Sequence, residues 1–219
     1  MRTPTAAIVD NATFIRKAFP VLMPQLDVRG AFTTAGALLA SRLAVDVVVL
    51  ELPDSQESPL EELRAGLAAL RTLVGFGHVV CLYTHEQRPF VHAACLASGA
   101  AGIVSKAAPA TTAQDAFVEV ASGGSEFPTE LLSRLQQLSE HGGLGVLTPR
   151  ERQILAARAH GRPMTAIAAL LDEPEERAVT EWRATAQVLR EFLSCASLDM
   201  ICRLLDLDPE YLPDIWPTH

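Results

Sequence analysis

The stretch Asp46-Val47-Val48-Val49-Leu50-Glu51-Leu52 decides how the first half of the chain is read. Four apolar residues in succession, three of them β-branched, predict a central strand buried on both faces, as in a parallel sheet. The charge at Glu51 arrives where such a strand should run out. Open parallel sheets gather ligands and chemistry at the carboxyl ends of their strands, so Glu51 is the first candidate functional residue.

Outward from this strand, strand and helix signals alternate. Strands are expected at residues 6–9, 28–32, 79–83 and 102–104, and helices at 13–23, 34–43, 60–74, 90–98 and 111–121. A loop with Pro53, Asp54, Ser55 and Pro59 follows the central strand. Five βα units in sequence predict a five-stranded parallel, doubly wound sheet with helices on both faces. Residues 125–146 read as a linker. It holds a helix at 129–139, with Leu131, Leu132, Leu135 and Leu138 along one edge, and a flexible glycine-rich joint at 141–145. From Leu147 onward only helical signals remain. Thr148 is an N-cap, Pro149 sits at the first helical position and Glu151 at the third. Further helices are expected at 164–171, from near Pro174 to 192, and at 198–205. The domain organisation expected is α/β over 1–124, linker over 125–146 and an all-α domain over 147–219.

Composition narrows the function classes. Only 5% of the 219 residues are aromatic, so the cores must be built from Ala, Leu and Val. No apolar run approaches the ~20 residues of a membrane span. The N-terminus enters a strand pattern at once, without a signal-peptide core, so a cytoplasmic location is expected. Cys81, Cys95, Cys195 and Cys202 lack metal-ligand spacing and read as buried reduced thiols. His85 and His92 are at most a surface pair on a helix face. No metal and no cofactor is expected. The net charge is −8, and residues 126–219 hold nine Lys/Arg against fifteen Asp/Glu. Such acidity argues against nucleic-acid binding, which cationic contacts to phosphate largely drive.

Asp10, Glu51, Thr84 and Lys106 close strands one, three, four and five. This set resembles the receiver domain of bacterial two-component response regulators, over residues 6–124. The resemblance implies that acids after the first strand hold Mg²⁺, that an Asp after the third takes a phosphoryl group, and that Thr84 and Lys106 contact it. Here Asn11 stands where a second acid is usual, Glu51 stands at the acceptor position, and Ile103 replaces the switch aromatic. A neutral amide removes charge from a cation site that wants oxygen ligands at ~2.0–2.1 Å. The extra methylene of Glu51 displaces its oxygen and carries its charge toward Thr84 and Lys106. Asp10, Asn11, Glu51, Thr84 and Lys106 are therefore expected to form a degenerate phosphorylation pocket. Its Glu51–Lys106 pair reads either as a fixed stand-in for phosphate or as scaffolding.

The run Leu147-Thr148-Pro149-Arg150-Glu151-Arg152, with Leu155, Gly161, Ile167, Ala168 and Leu171, resembles the LuxR/FixJ-type helix-turn-helix domain. Together the two halves look like the NarL/FixJ class of response regulator. The resemblance implies that the helix after Pro174 enters the major groove. Arg177, Thr180, Arg183, Ala184 and Gln187 are expected on its outward face, with Arg150 and Arg152 gripping the DNA backbone. Thr180 and Trp182 lie near where that family places a Lys and a His. Asp172, Glu173, Glu175 and Glu176 crowd the start of this helix, and residues 147–192 carry seven Arg and seven acids.

The expectation is an atypical, phosphorylation-independent response regulator. It would be a DNA-binding transcriptional regulator, not an enzyme, acting as a homodimer on a palindromic operator. The first and fifth helices or the Leu131–Leu138 edge are candidate dimer contacts. One alternative is a degenerate regulator acting by protein–protein contact. Its partner surface could be the C-terminal tail, with Leu198, Ile201, Cys202, Leu205, Leu207, Tyr211, Leu212, Ile215 and Trp216. The other is a pseudo-receiver that senses a small ligand.

Overall fold

The computed structural model describes residues 2–52, 60–210 and 212–217. The loop expected at Pro53, Asp54, Ser55 and Pro59, and Tyr211 of the tail, lie outside the described residues. The strands form as the apolar runs dictate: β1 (Thr5–Val9), β2 (Asp27–Phe32), β3 (Val47–Leu52), β4 (Val80–Thr84) and β5 (Gly102–Ser105). They pair in parallel in the order β2-β1-β3-β4-β5, the order of a doubly wound sheet. Alternation along each strand sends side chains to opposite faces. Ala6, Ile8, Val47, Val49 and Cys81 join Phe19 of α1 (Thr13–Leu22), Met23 just after it, and Phe117 and Val120 of α5 (Ala110–Ala121) in one core. Aromatic edges tie that core together: Tyr83 lies 5.4 Å from Phe117 and 6.4 Å from Phe19, between ring centroids. Leu63, Leu67, Leu70 and Leu73 are the buried stripe of α3 (Leu60–Gly75). α3 packs on β3, β4 and the short α2 (Ala35–Ser41). Asp46, expected to open the central strand, instead ties β3 to β1. Its carboxylate accepts the Thr5 N–H and hydroxyl, both at 2.7 Å, and pairs with Arg2. The Thr5 backbone bond, foremost among these contacts, holds the Asp46 carboxyl below its ordinary value.

Packing divides the chain into two units, and not at the expected boundaries. One unit holds the chain up to Gln87 plus Ser98–Glu126; the other holds Arg88–Ala97 plus the chain from Phe127 onward. The helix expected in the outer layer of the sheet, α4 (Pro89–Ala97), thus groups with the helical half, where it packs on α9 (Glu175–Cys195) and α6 (Thr129–Glu140). Every residue from Phe90 to Ala97 is buried, His92 included. His85 precedes α4, so His85 and His92 share no helix face.

The expected linker is likewise built into the helical unit. Leu131, Leu132, Leu135 and Leu138 of α6 are buried and α6 packs on α7 (Pro149–Ala159), so that edge is core, not a free dimer contact. The glycine-rich run at 141–145 is a tight helix exit, not a loose joint. The N–H of Gly143 returns to the Leu138 carbonyl at 2.9 Å, and a Cβ on Gly143 would meet the Leu138 side chain at 2.1 Å. The capping box forms: Thr148 Oγ accepts the Glu151 N–H, and Glu151 Oε2 accepts the Thr148 N–H at 2.7 Å. α8 (Met164–Leu171) and α9 follow, joined by a turn in which Asp172 takes a left-handed conformation at φ 52° and the Glu173 N–H closes on the Ala168 carbonyl at 3.1 Å. α10 (Leu198–Leu205) packs on α6, and Arg134 caps its carboxyl end through the carbonyls of Leu205 and Asp206.

All four cysteines are free thiols. Cys81 and Cys95 are buried as expected, and burial pushes the Cys81 thiol well above its ordinary value. Cys195 departs from that expectation: it ends α9 on an exposed turn, and Cys202 is only half-buried. No helix among the described residues is long and apolar enough to cross a membrane.

Candidate functional site

The strand ends bring Asp10, Asn11, Glu51 and Lys106 together. Lys106 Nζ lies 2.9 Å from Asp10 Oδ2 and 2.8 Å from Glu51 Oε1. The side chains of Lys106, Asp10 and Glu51 are 8%, 1% and 19% exposed, so the cluster is largely sealed from water. The remaining oxygens are also taken: Asp10 Oδ1 accepts the Ala12 N–H at 2.7 Å and Glu51 Oε2 accepts the Asn11 N–H at 3.1 Å. Arg16, which the sequence reading passed over, donates from Nη1 to the carbonyls of Asp10 and Asn11 at 2.6 and 2.8 Å and so fixes this loop. Its signal was its place, one turn into the helix that follows the loop.

Burial works to lower the pKa of Lys106, but the hydrogen bonds and charges of Glu51 and Asp10 outweigh it and hold the ammonium above the ordinary lysine value. Tyr83 lies beneath the ammonium, its ring centroid 5.7 Å from Nζ. Burial, ahead of the neighbouring charges, pushes the Tyr83 phenol up.

Thr84 does not join the cluster. Its hydroxyl donates to the Leu52 carbonyl at 2.6 Å and accepts the Glu86 N–H at 3.0 Å. Buried at the end of β4, it bonds to backbone groups of two neighbouring segments. The expectation that Glu51 reaches toward both Thr84 and Lys106 therefore holds for Lys106 alone. Ile103, at the switch position, is buried.

The donor set does not fit the divalent cation that the fold implies. Mg²⁺ needs free oxygens in near-octahedral array. All four carboxylate oxygens of Asp10 and Glu51 already accept protein hydrogen bonds, and an ammonium bridges the two acids. Beside the cluster, a cavity of about 520 Å³ opens between α2 and α3, floored by Val9 and Leu50 and walled by Leu39, Ala65, Gly66 and Ala69.

In the helical unit, α9 presents Arg177, Thr180, Ala184 and Gln187 to solvent as one stripe, with Arg183 half-buried beside it. Four of the five residues expected on the outward face are thus exposed, and Arg183 is the exception. Trp182 does not belong to it: the indole is buried, edge-on to Phe127 at 6.1 Å between centroids, with the Arg158 guanidinium 5.3 Å over its ring. The cations are engaged within the chain. Arg150 binds Glu173 and, at 2.5 Å, Glu181; Arg177 lies 3.4 Å from each of the same two acids. The hydrogen bond from Arg150, first among the causes, holds Glu181 below the ordinary carboxylate value, and the same bond holds Arg150 up. Half-buried Arg152 donates from Nη1 to the Leu147 carbonyl at 2.9 Å, a contact that supports the start of α7. The Thr180 hydroxyl donates to the Glu176 carbonyl, and Gln187 bridges Glu191 and Arg190. Glu173 and Glu181 were missed as members of this site, although the i,i+4 ladder Glu173–Arg177–Glu181 was there to read.

The C-terminal tail, read from the sequence only as a possible partner surface, packs on its own unit, as such tails usually do. Leu207, Leu212, Ile215 and Trp216 are buried, Trp216 Nε1 donates to the Ala196 carbonyl at 3.0 Å, and its ring lies 5.9 Å from that of Phe90.

No family model and no curated protein matches the sequence. Solved structures do share its fold. The RcsB response regulator of Salmonella typhimurium aligns with 90% of this chain and 100% of its own, at 22% identity and a TM-score of 0.51. A structure of two RcsB dimers bound to two parallel DNAs aligns with 98% of each chain, at 17% identity and a TM-score of 0.50. A LuxR-family two-component response regulator from Aurantimonas sp. covers 59% of this chain and 93% of its own, at 20% identity and a TM-score of 0.51. At these identities the likeness is one of fold: a receiver-like α/β unit and a helix-turn-helix unit, as the sequence motifs implied.

Proposed function

We propose that the chain is an atypical response regulator: a DNA-binding transcriptional regulator, dimeric and cytoplasmic, that phosphoryl transfer does not switch. In this reading residues 1–124 descend from a receiver and 147–219 carry the helix-turn-helix, with 125–146 joining them through α6, which packs within the helical unit. The bridge of Lys106 between Asp10 and Glu51 carries the argument. An acceptor carboxylate must present a free oxygen in line with the phosphoryl donor, and a misplacement of ~1 Å costs ~10²-fold. Glu51 has both oxygens bound and one methylene too many. The fold it shares with RcsB, whose dimers are found on DNA, supports the second half of the proposal, as does the exposed stripe Arg177–Thr180–Ala184–Gln187. Incubation with acetyl phosphate and Mg²⁺, followed by intact mass measurement, is expected to leave the protein unmodified. A hydroxylamine-labile phosphoryl adduct on the native chain overturns the phosphorylation-independent part.

A second reading, regulation by protein contact, is favoured by the acids Glu175, Glu176 and Glu191 on the exposed side of α9. Titration against a selected duplex at two salt concentrations separates the two: no binding above background at low salt leaves the protein-contact reading. The ligand-sensing alternative rests on the cavity beside Asn11, whose volume suits a small molecule.

A further inference from the structure

Arg150 and Arg177 are the cations best placed, on the proposed DNA-binding reading, to meet backbone phosphates. Both point at carboxylates of their own chain. Glu173 sits in the turn between α8 and α9, Glu181 two turns along α9, and Arg150 near the start of α7, so the cluster ties three segments at the edge of the exposed stripe. Two acids and two arginines cancel. Stability alone does not account for the arrangement: Glu173 is 7% exposed, yet its Oε1 has no hydrogen-bond partner among the described residues, and an imperfectly satisfied buried carboxylate is a poor way to gain stability. Arg177, by contrast, is 69% exposed and its ion pairs among the described residues are contacts of 3.4 Å, so a competing anion can take it.

We infer that Glu173 and Glu181 are specificity-determining residues that act as an internal competitor for DNA phosphate. They hold Arg150 and Arg177 against random duplex and yield them only where base contacts from α9 add enough binding energy to displace them. This rests on the DNA-binding reading. The mechanism is subtraction of the sequence-independent part of binding, which widens the gap between specific and non-specific sites.

The test uses the full chain, with Glu173→Gln/Glu181→Gln against a charge-matched control, Glu175→Gln/Glu176→Gln. The control acids occupy the first turn of the same helix and make no ion pair among the described residues. Gln keeps the volume of Glu, and circular dichroism verifies the fold of each variant. Binding to a random-sequence duplex and to a selected operator is titrated across salt. Freeing two cations should steepen the dependence of log K on log salt by about two for random duplex, which is about a tenfold gain at low salt. The control should gain less, and the ratio of operator to random affinity should fall only in the Glu173/Glu181 variant. Equal gains in the two variants mean simple net charge and overturn the inference while leaving the DNA-binding reading standing. If neither wild type nor either variant binds any duplex at low salt, both fail together.

Discussion

Each of the two units carries an ion cluster that, on the proposed reading, stands where a partner's charge would bind. In the receiver-like unit one ammonium is shared by two acids, and the side chains are almost wholly buried. In the helix-turn-helix unit two guanidiniums are shared by two acids, with Arg150 40% and Arg177 69% exposed. On that reading the substitution is the same in both, a group of the chain standing where a partner's group would be. Burial sets the difference. A pair taken out of water is costly to break, whereas an exposed one is worth little and exchanges readily. The first cluster is thus fixed throughout, whereas the second holds one exposed cation, Arg177, at contacts of 3.4 Å that can exchange.

The harshest way to break this contrast is Lys106→Met. It leaves two carboxylates facing each other in a dry site, and removal of one partner from a buried pair costs about 3–5 kcal/mol. Urea unfolding followed at the receiver-like unit should show it; a loss no larger than that of a surface substitution would put the two clusters in one class. The pH dependence has a definite sign. Because the pKa of Lys106 is raised in the folded state, its stabilisation is complete below the ordinary lysine value of 10.5 and disappears as pH rises through the higher folded value. Wild type should therefore lose stability in that alkaline limb, and Lys106→Met should lack that component.

Thr84→Val probes the same corner with a smaller effect. It keeps the branched shape but leaves the Leu52 carbonyl and the Glu86 N–H without their partner, a loss of about 1–3 kcal/mol. A neutral result in thermal melting would mean that the hydroxyl is free to serve a ligand after all.

The mildest test is salt. In double-mutant cycles, the coupling of Arg150 to Glu181 should shrink toward zero near 1 M salt, where the screening length is about 3 Å. The coupling of Lys106 to Glu51 should persist. If the two fall together, burial does not separate them.

Much of this was legible in the sequence. Apolar runs with punctuating glycines fixed the five βα units, and the spacing of Thr148, Pro149 and Glu151 fixed a helix start, because both depend on neighbours along the chain. The Glu51–Lys106 pair was legible through family spacing. Thr84 was not, since its partner, the Leu52 carbonyl, is a backbone group that no side-chain pattern reports. Arg150 meets Glu173 and Glu181 only once α7 crosses α9, so its neutralisation was out of reach of any local reading. The placement of α4 had an unread signal: Phe90 to Ala97 offers one polar residue, His92, and a helix without a polar face has no side to give to water. The glycines at 142 and 143 misled for the opposite reason, since flexibility and a tight helix exit call for the same residue.

The burial of Trp182 and Trp216 has an optical consequence. They are the only two tryptophans in the sequence, and both belong to the helical unit. Tyr83 is the one other indole or phenol chromophore among the described residues, and it belongs to the sheet unit. Red-edge excitation therefore illuminates one half of the molecule and leaves the other dark. A single unlabelled chain can report the melting of its helical unit by tryptophan emission while circular dichroism follows the helices of both units. Whether the two halves let go together or in succession becomes a matter of overlaying two curves.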